Sequence, residues 1–400
     1  MAVRPLAALV ALAALLTAAV PAAAAPADLS EEPLDRATLL ALPSVYRVDA
    51  TIRVAALRTR DGGRIALPPE ARTIEERGTA FAVAPDGWLV TAAHVAAPRP
   101  ATVARMAHQS RLAALGRPHG DEEAARRWVA RTGARPVGLR VVGLTATQAD
   151  AGAGADAARA LPVREVRRDG PADLALLRIG ARGAPALALD EAASRGTPIV
   201  TIGFGRGSSL QAVPGGGGEL EPAVRRGALS RSGELVDDGP GRRALAVSAP
   251  VMQGDSGGPV VDEEGRVRGV VTRRFPGGGI AEPATEVRTL LEAVGVTPGE
   301  GPAGERFRGA MAAFWALDYD AAARGLAETR RVFPAHALAG REAARAAALG
   351  AAGMELSATG RRRGALLAVG AVSLALALGC AALLVAPGLR GPAGRRRDGR

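Results

Sequence analysis

The run Gly254-Asp255-Ser256-Gly257-Gly258-Pro259 constrains this chain more than any other stretch, because it has counterparts far upstream. These are Thr91-Ala92-Ala93-His94 and Ala172-Asp173-Leu174-Ala175-Leu176-Leu177. Together they supply a base, an orienting acid and a nucleophile, in the order His, Asp, Ser. A hydroxyl near neutral pH is a poor nucleophile; it needs an imidazole to take its proton and a carboxylate to hold that imidazole in one tautomer. The glycines serve the same chemistry. The oxyanion of a tetrahedral intermediate must be met by converging backbone N–H groups, each worth about 3–4 kcal/mol in the transition state. Gly254 can take the positive φ such a turn needs, so the amides of Gly254 and Ser256 are the expected oxyanion hole.

Competing residues are few. The chain has four histidines, and His108, His119 and His336 sit in helical or loop sequence without a strand signal, which leaves His94 as the base. Among nearby carboxylates, Asp150 and Asp156 lie in an Ala/Gly-rich loop, and Asp169 opens no apolar run. Only Asp173 begins a strand of alternating Leu and Ala. It is the expected partner of His94.

At these residues the chain resembles the trypsin-like (chymotrypsin-fold) serine peptidases, and more closely the bacterial branch that includes the HtrA-like proteases. Gly78-Thr79-Ala80-Phe81-Ala82-Val83, then Pro85-Asp86-Gly87 and Trp88–His94, is similar to that family's hairpin leading to the base. Ile199–Gly205 and Gly227-Ala228-Leu229-Ser230 are similar to its later strands. The resemblance covers roughly Val45 to Val296 and implies two β-barrels, with His94 as general base, Asp173 as its partner and Ser256 as nucleophile. No PDZ-like module is recognisable, which sets the chain apart from full HtrA architecture.

The resemblance also implies a primary specificity pocket. Pro250, six residues before the nucleophile, takes the position of the pocket floor, and Thr272-Arg273-Arg274 that of the bordering strand. A floor without a carboxylate leaves Arg or Lys substrates without a counter-charge. Small apolar residues are therefore expected, with acidic ones admitted through Arg274. In the family's digestive members a freshly cut amino terminus inserts beside the Asp that precedes the nucleophile, here Asp255. No such cleavage motif precedes Val45, so Asp255 is expected to pair with an internal group, for instance an arginine.

The ends of the chain carry other signals. Residues 1–27 hold Arg4, an apolar stretch from Leu6 to Val20 and a small-residue end at Ala25-Pro26-Ala27, the pattern of a secretory signal peptide. Ala365 to Ala386 is 22 residues without a charge, flanked by Arg361-Arg362-Arg363 and by Arg390, Arg395, Arg396 and Arg397. At 1.5 Å per residue this spans a hydrocarbon core of about 30 Å. A transmembrane helix over 364–386 with a basic cytoplasmic tail over 387–400 follows, the catalytic region facing outward. Cys380, the only cysteine, falls inside that span, so no intramolecular disulfide is possible. Formal charge is +11, but eight Arg and one Asp after residue 360 supply +7 of it. The rest is too weakly basic, and at 3% aromatic too poor in stacking residues, for a nucleic-acid binder.

Along the chain, 28–43 reads as a polar lead-in and 44–296 as the peptidase domain, with turn signals at Asp61-Gly62-Gly63 and Pro85-Asp86-Gly87. Residues 97–168 read as an insertion, with helices over Thr102–Leu115 and Gly120–Thr132 and a small-residue linker over Ala149–Ala160. Pro214–Gly218 is a loop. A linker over 297–304 leads to a helical segment over 305–355, similar to one tetratricopeptide-like helix pair at Tyr319, Ala322 and Pro334, and read as a stalk or docking pad for a protein partner. The expected fold is all-β, two six-stranded barrels followed by a small helical segment and a transmembrane helix. The expected function is serine endopeptidase action on protein or peptide substrates outside the membrane, with no cofactor or metal. The rival is a catalytically silent scaffold of the same fold that docks partners on its helices.

Overall fold

A computed structural model of the chain describes residues 32–118, 120–149, 160–192, 194–205, 222–231, 244–352 and 354. The expected signal peptide, transmembrane helix and basic tail, the loop at Pro214–Gly218 and nearly all of the linker over Ala149–Ala160 lie outside them. Among the described residues no helix is long and apolar enough to cross a membrane.

Two closed antiparallel barrels of six strands each form the framework. The first comprises β1 (Val45–Arg53), β4 (Thr73–Ala84), β5 (Trp88–Ala92), β7 (Arg140–Gln148), β8 (Leu161–Asp169) and β9 (Leu174–Ile179), in the order β1-β4-β5-β9-β8-β7. The second comprises β10 (Pro198–Gly203), β11 (Ala223–Arg231), β12 (Leu245–Val247), β13 (Pro259–Asp262), β14 (Val267–Phe275) and β15 (Gly278–Pro283), in the order β10-β11-β12-β15-β14-β13. Closure leaves no free edge strand. Each barrel has its own filling: Val48, Leu89 and Leu177 in the first, Ile199, Val260 and Val271 in the second. Leu174, Val200, Val261 and Phe204 join a third cluster that the two barrels share.

Three sequence boundaries differ from expectation. The insertion over 97–168 is not all excursion, because β7 and β8 within it close the first barrel. They were hidden because β7 exposes Arg140, Val141 and Val142, and β8 mixes apolar residues with three arginines and two carboxylates. The true excursion is α3 (Pro100–Ala114) and α4 (Glu122–Thr132), beside a three-stranded sheet of β2 (Ala56–Arg58), β3 (Arg64–Ala66) and β6 (Arg135–Val137) in the order β3-β2-β6. Between β5 and α3 lies the short α2 (Ala93–Ala96). Ile52, Leu57, Leu67 and Ile74 bury the apolar face of α3 at Val103, Ala104 and Ala107. His108 of α3 stacks on Trp128 of α4, with ring centroids 3.6 Å apart.

The lead-in, read from its sequence only as a polar segment, forms a helix from Pro33. This α1 (Pro33–Ala41) buries Ala37 and Ala41 completely in the shared cluster. The expected stalk over 305–355 is also part of that cluster. After α5 (Ala284–Glu292), the helices α6 (Gly301–Trp315), α7 (Tyr319–Val332) and α8 (Ala337–Ala351) contribute Phe307, Met311, Phe314, Tyr319, Leu326 and Leu338 to the core that holds Val261, Val267 and Leu290. Burial of each such side chain is worth about 1.5–3 kcal/mol, far more than a hinged stalk would retain. The linker is tied down as well. Gly299 N–H donates to Val83 O at 2.9 Å, and Arg308 forks onto both oxygens of Glu300. His336 caps the last helix, its Nδ1 accepting from Ala339 N–H at 3.2 Å.

Candidate active site

The register of β5 against β9 pairs Ala92 with Leu174, so the residues just beyond those strand ends meet. His94 sits on α2, and Asp173 precedes β9. Asp173 holds φ at 50°, in the left-handed region that short carboxylate side chains tolerate better than most. Its carboxylate grips the histidine twice: Oδ2 lies 2.7 Å from His94 Nδ1, and Oδ1 accepts from His94 N–H at 3.1 Å. The Asp173 backbone carbonyl accepts from Ala93 N–H at 2.7 Å. The imidazole is thereby oriented with Nδ1 toward the acid and Nε2 outward. Arg99 Nη2 also reaches Asp173 Oδ2, at 3.3 Å. Arg99 was not foreseen, since a lone exposed arginine after a helix carries no sequence signal.

Ser256 comes from the second barrel. Gly254 holds φ at +103°, and a Cβ there would stand 2.3 Å from Phe204 O; at Gly257 one would stand 2.0 Å from Thr79 O. Both positions are closed to any larger residue without moving backbone, which accounts for the glycines around the serine. Neither Gly254 N–H nor Ser256 N–H donates to a backbone carbonyl among the described residues.

Thr79, fully buried, links the two barrels at this loop. Its N–H donates to Ser256 O at 2.9 Å and its hydroxyl to Gly254 O at 2.8 Å. The same hydroxyl accepts from Phe204 N–H at 3.0 Å, and Thr91 Oγ1 donates to Thr79 O at 2.6 Å. Sequence reasoning read Gly78-Thr79 only as hairpin; a threonine inside an apolar strand was the available clue. Asp255 is almost wholly buried and pairs with Arg225 Nη1 of β11 at 2.8 Å, its Oδ2 also accepting from Met252 N–H at 2.7 Å. Burial pushes its carboxyl above the ordinary aspartate range, while the Met252 N–H and Arg225 pull it back.

His94, Asp173, Ser256 and Gly254 all line one cleft of about 350 Å³ between the barrels. Thr272, Arg273 and Arg274 line it too, with Val251, Met252 and Gln253. Pro250 does not: it is exposed and lies outside that lining. The buried Val251 one position on takes the inward place. Among the described residues no group of His, Cys, Asp and Glu is arranged to hold a metal ion.

Residues 78–270 match the protein-family model described as trypsin-like peptidase domain. Solved structures similar to the chain include the Rv3671c protease from M. tuberculosis in its active form, at 19% identity and a TM-score of 0.40 over 66% of this chain and 87% of that one. Another is the serine endoprotease from Yersinia pestis, at 17% identity and a TM-score of 0.40 over 66% of this chain and 67% of that one. At such distance neither lends its activity to this chain. No curated protein sequence matches it. The residues that match that family model include His94, Asp173 and Ser256.

Proposed function

We propose that the chain is a serine endopeptidase anchored in a membrane by its carboxyl-terminal apolar segment, with the barrels on the extracytoplasmic side. The observation that carries the enzymatic reading is the double grip of Asp173 on His94, at the edge of the cleft that Ser256 enters from the other barrel. In this reading His94 Nε2 takes the Ser256 proton as Oγ attacks the carbonyl carbon of a peptide or protein substrate. The tetrahedral intermediate places its oxyanion on the amides of Gly254 and Ser256. Collapse breaks the C–N bond, His94 gives the proton to the leaving amine, and water then hydrolyses the Ser256 ester by the same proton route. The anchoring part of the reading rests on sequence, on Leu6–Val20 and Ala365–Ala386 with their arginine flanks.

Two measurements test the two parts. Ser256→Ala should abolish fluorophosphonate labelling and casein cleavage with the circular dichroism spectrum unchanged, a loss of several orders of magnitude in turnover. Equal cleavage with Ala at 256 would defeat the enzymatic reading. Truncation before Arg361 should release the peptidase into the soluble fraction of expressing cells, and its retention in washed membranes would defeat the anchor assigned here.

A further inference from the structure

The cleft is lopsided in charge. Arg77, Arg99, Arg105, Arg126, Arg273 and Arg274 line it, against only three carboxylates, Glu76, Glu122 and Asp173. Asp173 is committed to His94. Glu122, the first residue of α4, is placed differently. Its Oε1 lies 2.5 Å from Arg126 Nη2 and 3.9 Å from Arg105 Nη2 of α3, and its Oε2 lies 3.5 Å from Arg274 Nη2. Arg274 belongs to β14 of the second barrel, so this one carboxylate bridges the cleft. Burial works against its charged form, yet the guanidiniums of Arg126, Arg105 and Arg274 outweigh it and hold its carboxyl below the ordinary glutamate range.

The arm that presents Glu122 is firm. Asp121 caps α4 by accepting from Ala124 N–H at 2.7 Å, and the His108–Trp128 stack holds α4 to α3. Three guanidiniums converging from three elements on one carboxylate, beside Ser256, form a receptor for a carboxylate. Only one of the three contacts is closer than 3.5 Å, so an incoming carboxylate has donors to take over.

We propose that Arg105, Arg126 and Arg274 form a subsite for an acidic side chain of the peptide substrate, and that Glu122 fills it in the free enzyme until a substrate Asp or Glu displaces it. The proposal rests on the peptidase reading for its substrate, but its test does not need catalysis. The probes are fluorescein-labelled octapeptides of Ala, Val and Thr, each with a single Glu or its Gln twin at successive positions, titrated by anisotropy into full-length Ser256→Ala protein. At one position the Glu peptide should bind about tenfold tighter than its twin. The ratio should fall to about 1 in the Arg126→Gln/Arg274→Gln variant, and Glu122→Gln should tighten the Glu peptide alone. Raising salt from 50 to 500 mM should shrink the ratio without any substitution, a check that does not depend on a variant folding. Equal affinity of the twins at every position, or a Glu preference that survives loss of both arginines, would overturn the subsite. Absence of fluorophosphonate labelling in wild-type protein would instead strike the peptidase reading and leave the binding result standing.

Discussion

Two helical additions are attached to the barrels, and they meet the second barrel by opposite means. The pair α3–α4 lies beside the cleft and meets the second barrel through charge, at Glu122 and Arg274. The trio α6–α8 lies away from the cleft residues and joins the barrels through apolar burial, with Phe307, Met311, Phe314 and Tyr319 all at most 2% exposed. Apolar burial is nondirectional and large, so it stabilises without choosing a ligand. Exposed charge contributes little stability but discriminates among ligands. The contrast separates a region that sustains the fold from one able to select what enters it.

The comparison is most easily broken by truncating one aromatic in each region. Phe314→Ala should cost about 3–5 kcal/mol, as a fully buried aromatic does, read as a shift of the urea midpoint with activity per folded molecule unchanged. Trp128→Ala, in a half-buried stack, should cost about half as much or less yet change peptide turnover. Equal losses of stability, or an activity change confined to Phe314→Ala, would erase the distinction.

Acid sharpens it. Each region buries one histidine with an unpartnered ring nitrogen, His336 Nε2 and His108 Nδ1. Burial holds His336 down to about 4 from 6.5, while His108 is lowered by burial and then by Arg111. A depressed base binds protons more weakly folded than unfolded. Its stability contribution is therefore complete above pH 6.5 and is lost as pH falls from there through 4. The loss at His336 is about 3 kcal/mol. His336→Asn, which keeps a side-chain acceptor for the helix cap, should flatten the fall in melting temperature between pH 6.5 and 4. A variant whose acid profile overlays the wild type would place the sensitivity elsewhere.

The smallest expected effect concerns the outer surface of α4. Arg127 and Glu123 stand 3.7 Å apart and both are more than half exposed. Arg127→Ala should change stability by about 0.3–0.5 kcal/mol at most, within the scatter of a chemical melt. A larger change would mean that α4 depends on its charges for folding, and not only at the cleft.

The three motifs were legible because proton relay and close backbone approach admit few residue types. Thr79 was not, since one hydroxyl in an apolar strand is informative only once its partners are known. Among so many arginines, nothing in sequence singles out Arg225 for Asp255 or Arg274 for Glu122; both pairings are made by the fold across 30 and 152 residues. The helices after residue 300 showed their periodicity, but their alanine-rich faces suit a free stalk as well as a buried one. Strands β7 and β8 escaped notice because a barrel wall half turned to solvent carries a weaker pattern than a buried strand.

The pairing of Asp255 with Arg225 has a consequence for timing. A buried carboxylate beside Ser256 needs a cation, and here the cation is supplied by a strand of the same barrel, from the moment that barrel closes. Nothing is left for a newly liberated amino terminus to neutralise. The loop that carries Ser256 is then set by the closing of the second barrel, with the charge of Asp255 already balanced.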